Sequence, residues 1–253
     1  MTVVLETLTP GVRQIRIDRP QRMNALGVET VQQLLDAIAA VADARVVLIR
    51  GTGRAFCAGA DLKERAGMEA PARLAHNRAI NAMVDALEAL PMPTIAVVNG
   101  LALGGGLEIA LACDLRFAAA SATLGLTEAR IGAIPGAGGT QRLPRLIGRA
   151  RAMKMMLSGE PVDAAMAVAW DLVQEAAADD ALDAHVLAYA SLVASRSPRT
   201  TRLLKRVVRS GAEQRLADGL QTERDALVEV FASADYAEGL RAFADRRAPN
   251  FPD

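Results

Sequence analysis

This sequence has few cysteines and few aromatic residues, and it has no net charge. Its two cysteines, Cys57 and Cys113, lie far apart and form no metal-binding spacing, which indicates reduced thiols in a cytoplasmic protein without a metal site. Aromatic residues make up 3% of the chain, so Ala, Leu, Val and Ile must build the hydrophobic core. The formal net charge is zero, which argues against a dedicated nucleic-acid-binding protein, because such proteins usually carry a basic surplus.

Several common sequence signals are also missing. Residues 1–11 contain no basic segment followed by an apolar run, so no signal peptide is expected. The longest apolar stretch, residues 95–113, includes three consecutive glycines and Glu108, which favours a buried protein interior over a membrane span. There is no phosphate-binding G-x-x-x-x-G-K-[ST] loop, no G-x-S-x-G nucleophile elbow and no G-x-G-x-x-G after a strand. His76 and His185 are isolated and are interpreted as structural or surface residues.

The pattern of apolar residues predicts an α/β fold. A chain of 253 residues, 51% of them hydrophobic, suits one sizeable domain or one domain with a helical extension. Strand and helix patterns alternate over the first two thirds, which is typical of largely parallel strands, and the remainder is nearly all helical. The predicted strands are 12–18, 46–49, 95–98 and 115–117, residues 51–59 are a predicted loop, and the predicted helices are 28–44, 70–90, the segment from the glycines to Cys113, 182–195, 200–210, 216–231 and 236–246.

A glycine-rich segment joins one predicted strand to the helix that follows it. Residues 99–108 (NGLALGGGLE) contain three consecutive glycines, which are costly to order and therefore indicate that bare backbone is needed there. A helix beginning at this point presents unpaired amide groups, which suit a carbonyl oxygen that gains negative charge during a reaction. Glu108 falls in the first turn of this helix. The alternative interpretation is a tight turn followed by a glutamate that the helix dipole stabilises.

Two further segments have a similar composition. Residues 55–62 (AFCAGADL) follow a buried strand, where open α/β sheets bind ligands, although a plain connecting turn is the alternative. Residues 124–142 (LGLTEARIGAIPGAGGTQR) are rich in glycine, which suggests close approach of the backbone to a ligand. Glu128 lies among mostly apolar neighbours in this segment, and the alternative for it is a solvated carboxylate paired with Arg130.

Together these segments resemble the crotonase (enoyl-CoA hydratase/isomerase) family over nearly the whole chain. The resemblance depends on AGAD at residues 58–61, GGGLE at residues 104–108 and PGAGGTQR at residues 135–142, in this order. The first two segments are most similar to the 3-methylglutaconyl-CoA hydratase branch, whereas the C-terminal end is closer to general enoyl-CoA hydratases.

The resemblance implies a crotonase-type spiral of ββα units with a C-terminal helical trimerisation region. Residues 1–195 would form the core with the active site, and residues 196–253 would form the helical region that builds a homotrimer, often stacked into a homohexamer. The implied partner is an acyl-CoA thioester substrate. Coenzyme A is then part of the substrate, and no separate cofactor is expected.

The resemblance also assigns roles to individual residues. The amides of Ala60 and Gly105 would form the oxyanion hole for the thioester oxygen. Glu108 would be the base that activates water for attack at the β-carbon, and Glu128 would be the acid that protonates the α-carbon. The Gly136 amide would help to hold the water. Two carboxyl groups in an apolar pocket can hold different protonation states, as this chemistry requires.

Binding of coenzyme A is assigned by the same resemblance. Relatives often carry Lys at the position of Arg246; both residues are cationic, although their geometry differs. Some of these groups could come from a neighbouring subunit. The residues implied in binding coenzyme A are Arg22, Ala25, Ala58, Leu227 and Arg246.

Two alternative functions remain open. A double-bond isomerase on the same scaffold would shuttle a proton without adding water, but family members of that kind tend to carry only one of the two acids, so hydration is favoured here. An RNA-binding protein is the alternative of another class, since the branch includes a member with that property, which is associated with lysines on an early helix. Residues 28–44 contain no lysine, which argues against this alternative.

Overall fold

Ten strands in two sheets form the framework of the computed structural model, which describes residues 1–252. Strand β5 is buried along its whole length, which is typical of a strand with parallel neighbours and helices covering the sheet. The strands are β1 (Val3–Thr9), β2 (Val12–Ile17), β3 (Val46–Gly51), β4 (Ala55–Cys57), β5 (Thr94–Val98), β6 (Leu101–Leu103), β7 (Leu115–Ala119), β8 (Thr123–Gly125), β9 (Val162–Asp163) and β10 (Glu175–Ala177).

Helices connect the strands and form most of the C-terminal third. Two short 3₁₀ turns, Pro20–Arg22 and Glu128–Ile131, add to the α-helices. The α-helices within residues 1–252 are α1 (Val28–Ala39), α2 (Leu62–Ala66), α3 (Ala70–Glu88), α4 (Gly105–Ala112), α5 (Gly139–Ile147), α6 (Arg149–Ser158), α7 (Ala164–Ala169), α8 (Leu182–Ala194), α9 (Pro198–Ala212), α10 (Leu216–Phe231) and α11 (Ala234–Ala244).

The chain adds one strand to each sheet in turn. The larger sheet has the order β1-β2-β3-β5-β7-β10, and the smaller sheet has the order β4-β6-β8-β9. From β3 to β8, consecutive strands fall alternately in the larger and the smaller sheet, and the strands that pair within each sheet are parallel. Antiparallel pairing occurs at β1/β2 and at β8/β9. The repeated ββα units that the resemblance implied are therefore present, and the predicted α/β class is confirmed.

Most predicted helices and strands correspond to observed ones, although the predicted helix 28–44 ends at Ala39. Strand β1 and the strands of the smaller sheet were missed. Strand β4 falls inside residues 51–59, which the sequence predicts as a loop, and β6 and β8 have no predicted counterpart. These strands contain three residues each, too few to show an alternating pattern of apolar and polar residues. Their positions matter, because they hold the segments that form the site.

Helix α9 is joined to the core by an ion pair, yet α9 to α11 carry exposed apolar side chains. Lys205 on α9 forms a 2.7 Å ion pair with Asp114, and its side chain is 7% exposed. Large apolar side chains nevertheless remain exposed on these helices; the division after residue 195 and the oligomeric role of residues 196–253 stay predictions. No helix within residues 1–252 is both long enough and apolar enough to cross a membrane. The exposed apolar residues include Leu204, Val208, Leu216, Val228, Phe231, Leu240 and Phe243.

Candidate active site

A cavity of about 200 Å³ lies where the glycine-rich segments meet helices α2, α3 and α4. These segments are far apart in sequence, and the parallel strands bring them to one place. The predicted oxyanion-hole, acid and water-positioning residues all line this cavity. They are Ala60, Gly105, Glu108, Glu128 and Gly136.

Two backbone amides lie next to each other on one side of the cavity. The Leu26 amide donates to the Gly59 carbonyl (2.8 Å), and the Asp61 amide donates to the Leu26 carbonyl (3.1 Å). This parallel bridge directs the N–H of Ala60 away from Leu26. Gly105 is the first residue of α4, so its N–H has no partner within the helix. A Cβ on Gly105 would lie 3.8 Å from the Ala60 nitrogen, which shows how closely the two segments approach.

The glycines of this side are required by packing. Gly104 has φ +50°, and a Cβ there would lie 2.7 Å from a carboxylate oxygen of Glu128. A Cβ on Gly106 would lie 2.0 Å from the carbonyl oxygen of Cys57, a backbone atom that cannot move independently. Gly59 has φ +86°, and a Cβ there would lie 2.8 Å from the backbone of β6. Bare backbone is therefore needed for the two segments to meet, as the glycine content predicts.

Asp61 fixes the loop that carries Ala60. Its buried carboxylate accepts hydrogen bonds from the amides of Lys63 and Glu64 at the start of α2. The other carboxylate oxygen accepts from the Arg19 guanidinium at 2.8 Å. The side chain therefore caps a helix and forms an ion pair at once, which limits the freedom of the neighbouring amide.

Glu108 lies in the first turn of α4 and is 2% exposed. Its Oε1 accepts hydrogen bonds from the amides of Ala137 (2.7 Å) and Gly139 (2.8 Å). Burial raises the pKa of Glu108 above its ordinary value, while these two amides and the positive charges of Arg142 and Arg65 oppose the increase. Both of these hydrogen bonds are on Oε1, and Glu108 lines the cavity.

Glu128 begins the second 3₁₀ turn and has a different environment. Its Oε2 is buried and has no hydrogen-bond partner among residues 1–252. Burial raises the pKa of Glu128 to about 7, and the negative charge of Glu108 adds to the increase. Arg130 does not pair with Glu128; it forms an ion pair with Glu160 at 2.8 Å. The two acids therefore differ in their hydrogen bonding and in their tendency to hold a proton.

Arg65 is a cation of the cavity that the sequence analysis did not identify. It lies on α2, its Nε donates to His76 Nδ1 (3.3 Å), and its Nη2 donates to Asn77 Oδ1 (3.5 Å). No carboxylate within residues 1–252 lies within ion-pair distance of this guanidinium. Burial lowers the pKa of Arg65, whereas the charges of Glu108 and Glu128 oppose the decrease. His76 is buried and serves as an acceptor for Arg65, in accordance with its predicted structural role.

Two asparagines on α3 were also missed. Asn77 Nδ2 and Asn81 Nδ2 donate to the Gly136 carbonyl at 3.0 and 2.5 Å, respectively. The structure thus shows the Gly136 carbonyl in hydrogen bonds, and the predicted role of its amide stays a prediction. A signal was available, because asparagine is a poor helix former and two of them stand four residues apart in α3.

The residues predicted to bind coenzyme A fall into two groups. Ala58 lines the cavity, and its amide donates to the Met23 carbonyl at 3.0 Å, which places the Arg22–Ala25 segment beside the cavity. Arg22 is exposed, and Ala25 is buried. Their role in binding stays a prediction. The second group lies on the C-terminal helices, outside the lining of the cavity within this chain: Leu227 in α10 and Arg246 after α11.

The two sheets, the ββα units and the cavity between the glycine-rich segments define a crotonase-type enzyme. A solved structure of an enoyl-CoA hydratase from Bacillus anthracis has the same fold, with a TM-score of 0.97, 40% identity and 99% of each chain covered. A family model described as enoyl-CoA hydratase/isomerase matches residues 7–253. The chain therefore belongs to the enoyl-CoA hydratase/isomerase (crotonase) family, whose enzymes act on acyl-CoA thioesters.

Two curated relatives cover most of the chain. The mouse enoyl-CoA hydratase domain-containing protein 2, mitochondrial, is 40% identical over 249 residues, which are 95% of this chain and 84% of the relative. The rat methylglutaconyl-CoA hydratase, mitochondrial, is 38% identical over 255 residues, which are 98% of this chain and 81% of the relative.

Proposed function

We propose that this protein is an enoyl-CoA hydratase that adds water across the 2,3 double bond of an enoyl-CoA thioester. The observation that carries the proposal is a pair of carboxyl groups, Glu108 and Glu128, that line one cavity in unlike environments. The oxygen Oε1 of Glu108 accepts two amide hydrogen bonds, which favour its ionised form. The pKa of Glu128 is raised to about 7 by burial, so this group keeps its proton to a higher pH than an ordinary glutamate.

In the proposed reaction, the amides of Ala60 and Gly105 donate to the thioester oxygen and stabilise the partial enolate. Glu108 takes a proton from water as the water oxygen bonds to the β-carbon, and Glu128 gives its proton to the α-carbon. The α,β double bond is consumed, and exchange with solvent then restores both acids. The loss of one oxyanion-hole donor typically reduces turnover by about 10²–10³-fold.

The accessory roles are those that the family resemblance implies, and they are part of the proposal. The Gly136 amide would help to hold the attacking water beside Glu108. Ala58, Ala25 and Arg22 would contact coenzyme A near the cavity, whereas Leu227 and Arg246 would do so from a neighbouring subunit. We infer a homotrimer or homohexamer built by residues 196–253, and the exposed apolar side chains of α9 to α11 support this inference. Light scattering of the purified protein tests it.

The decisive test is to incubate the protein with crotonyl-CoA and to measure the enoyl absorbance over time. A hydratase removes this absorbance and forms the 3-hydroxyacyl product, which mass spectrometry detects as the addition of one water. The isomerase alternative is tested in parallel with a 3-enoyl-CoA, which would gain the conjugated absorbance without a change in mass. Isomerisation without hydration of any enoyl-CoA would contradict the proposal.

One observation favours substrates whose acyl chain carries a free carboxylate. Arg65 is a partly buried cation in the cavity without a carboxylate in ion-pair distance, and a carboxylate on the acyl chain would supply the missing partner. The similarity to a methylglutaconyl-CoA hydratase supports the same class. We therefore propose 3-methylglutaconyl-CoA or a related carboxylated enoyl-CoA as substrate, tested by kcat/KM over a panel of short, long, branched and carboxylated thioesters. Preference for uncharged chains would exclude it.

A further inference from the structure

The peptide bond between Gly136 and Ala137 lies between helix α3 and the carboxylate of Glu108. Its carbonyl accepts hydrogen bonds from Asn77 Nδ2 (3.0 Å) and Asn81 Nδ2 (2.5 Å), and its N–H donates to Glu108 Oε1 (2.7 Å). A trans peptide bond is planar, and its C=O and N–H point in opposite directions. Fixing the carbonyl end therefore aims the N–H end.

We propose that Asn77 and Asn81 are positioning residues for Glu108, because they hold the Gly136 carbonyl and thereby aim the Ala137 amide at the carboxylate. The inference rests on the proposed function only in treating Glu108 as the base of the reaction. Neither asparagine needs to contact the substrate for this role.

The two asparagines are themselves held in place. They stand one turn apart on α3, and Asn81 Nδ2 also donates to the backbone carbonyl of Asn77 at 2.9 Å. Asn77 Oδ1 faces the guanidinium of Arg65 at 3.5 Å, so the amino group of Asn77 is turned toward Gly136. A Cβ on Gly136 would lie 2.7 Å from Asn77 Oδ1. Glycine at position 136 thus permits the close approach of the asparagine.

The loop that carries this peptide is held at its two ends by backbone hydrogen bonds, from the Ala133 amide to the Glu128 carbonyl and from the Arg142 amide to the Gly138 carbonyl. Residues 132–138 contain no regular secondary structure, and Ile134 in this loop is 78% exposed. Arg142 donates to the Ala137 carbonyl at 3.0 Å and so holds the next peptide. The asparagines tie the loop to a long helix on the side opposite Glu108. Without them, the Gly136 carbonyl would lose both of these hydrogen bonds, and the direction of the Ala137 amide would be held less firmly.

The expected consequence concerns the charge of Glu108. Three charged groups face it from the elements around it, namely Glu128 from the second 3₁₀ turn, Arg65 from α2 and Arg142 from α5. The Ala137 amide favours the ionised carboxylate, so misdirecting it raises the pKa of Glu108. A base with a higher pKa loses its proton only at higher pH. The acidic limb of kcat/KM therefore moves to higher pH when the asparagines are replaced.

The test uses N81L and the double variant N77L/N81L, because leucine has the same branched arrangement of heavy atoms as asparagine but forms no hydrogen bond. R78A is the matched control, since Arg78 is an exposed residue of the same helix. We expect the acidic limb to move up by about one pH unit and turnover at neutral pH to fall about tenfold, with KM changed little. The R78A profile should match the wild type.

A second readout does not depend on activity. The pKa of Glu108 is followed by NMR of ¹³C-labelled glutamate carboxyl groups, with E108Q used to assign the signal. A higher pKa in folded N81L supports the proposal, and an unchanged pKa overturns it. If the double variant does not fold, the result for folded N81L decides. If the wild type hydrates no enoyl-CoA while N81L raises this pKa, the hydratase proposal is wrong and the positioning role stands.

Discussion

The two sides of the cavity are built in different ways. The amide side, residues 58–60 and 104–106, is held by close packing of backbone on backbone, and a Cβ on Gly106 would lie 2.0 Å from a carbonyl oxygen. On the acid side, hydrogen bonds hold Glu108, whereas the buried Oε2 of Glu128 has no partner among residues 1–252, and burial raises the pKa of both carboxyl groups. We therefore expect substitutions on the amide side to disrupt the local structure. Substitutions on the acid side should leave the fold intact and change the protonation or the orientation of the carboxyl groups.

The largest effect is expected on the amide side from G106A. The added methyl group has to displace the backbone of Cys57, so the loss of stability should reach or exceed the roughly 1–3 kcal/mol that is usual for overpacking. Hydration should vanish with the displaced Gly105 amide. Denaturant unfolding and the crotonyl-CoA assay measure both changes. The matched control is G239A in α11, where a Cβ meets no atom within 4 Å. This variant should have stability and activity close to those of the wild type. A stable and fully active G106A would show that the amide side does not depend on close backbone packing.

On the acid side, E128Q should preserve the fold and the binding of substrate but lower turnover. General acid catalysis contributes about 10²–10⁴-fold, and the amide cannot supply the proton to the α-carbon. Steady-state kinetics gives kcat, and calorimetry with a non-reactive acyl-CoA gives the affinity. E223Q, at an exposed position, serves as the control and should behave like the wild type. Turnover of E128Q within a few-fold of wild type would show that this carboxyl group is not the acid.

A smaller effect is expected from substitution of Arg65, which also lines the cavity. R65M should lower kcat/KM for 3-methylglutaconyl-CoA by about tenfold or more, since it removes a charge-assisted hydrogen bond to the acyl carboxylate. The value for crotonyl-CoA should fall less, because that chain has no carboxylate to lose and only the effects of Arg65 on Asn77 and Glu108 remain. The ratio of the two values is the measurement, and R78M is the control on the neighbouring helix. Equal losses for both substrates would mean that Arg65 acts on the glutamates and does not select the substrate.

The smallest effect concerns the dependence of stability on pH. The pKa of Glu128 in the folded protein, about 7, lies above its ordinary value of 4.5, so the folded state keeps a proton that the unfolded state releases. The stabilisation from this group is present below pH 4.5 and is lost as the pH rises toward 7. Urea unfolding from about pH 5 to about pH 8 should show a decline in the wild type that is weaker in E128Q. If the free energy of unfolding declines equally in both proteins, the pH dependence comes from groups other than Glu128.

The predicted elements show what periodicity can detect. Helix α10 was predicted with the bounds that the structure has, and α3 and β5 were predicted to within two residues, because each has a long or continuous apolar pattern. Strands β4, β6 and β8 were missed, since three residues carry no periodic signal. The glycines and acids of the candidate site stood out by their composition and by the family resemblance, and the structure brings them to one cavity, while their roles stay predictions.

The sequence by itself determined the α/β alternation, the bare backbone at residues 104–106 and the presence of two acids in apolar segments. Only the tertiary structure decided that Asn77, Asn81 and Arg65 belong to the same site. Their contacts join elements that are tens of residues apart, and no local pattern encodes such a distance. The unequal proton affinities of Glu108 and Glu128 were also decided there, because a pKa depends on the burial and the neighbours that folding creates.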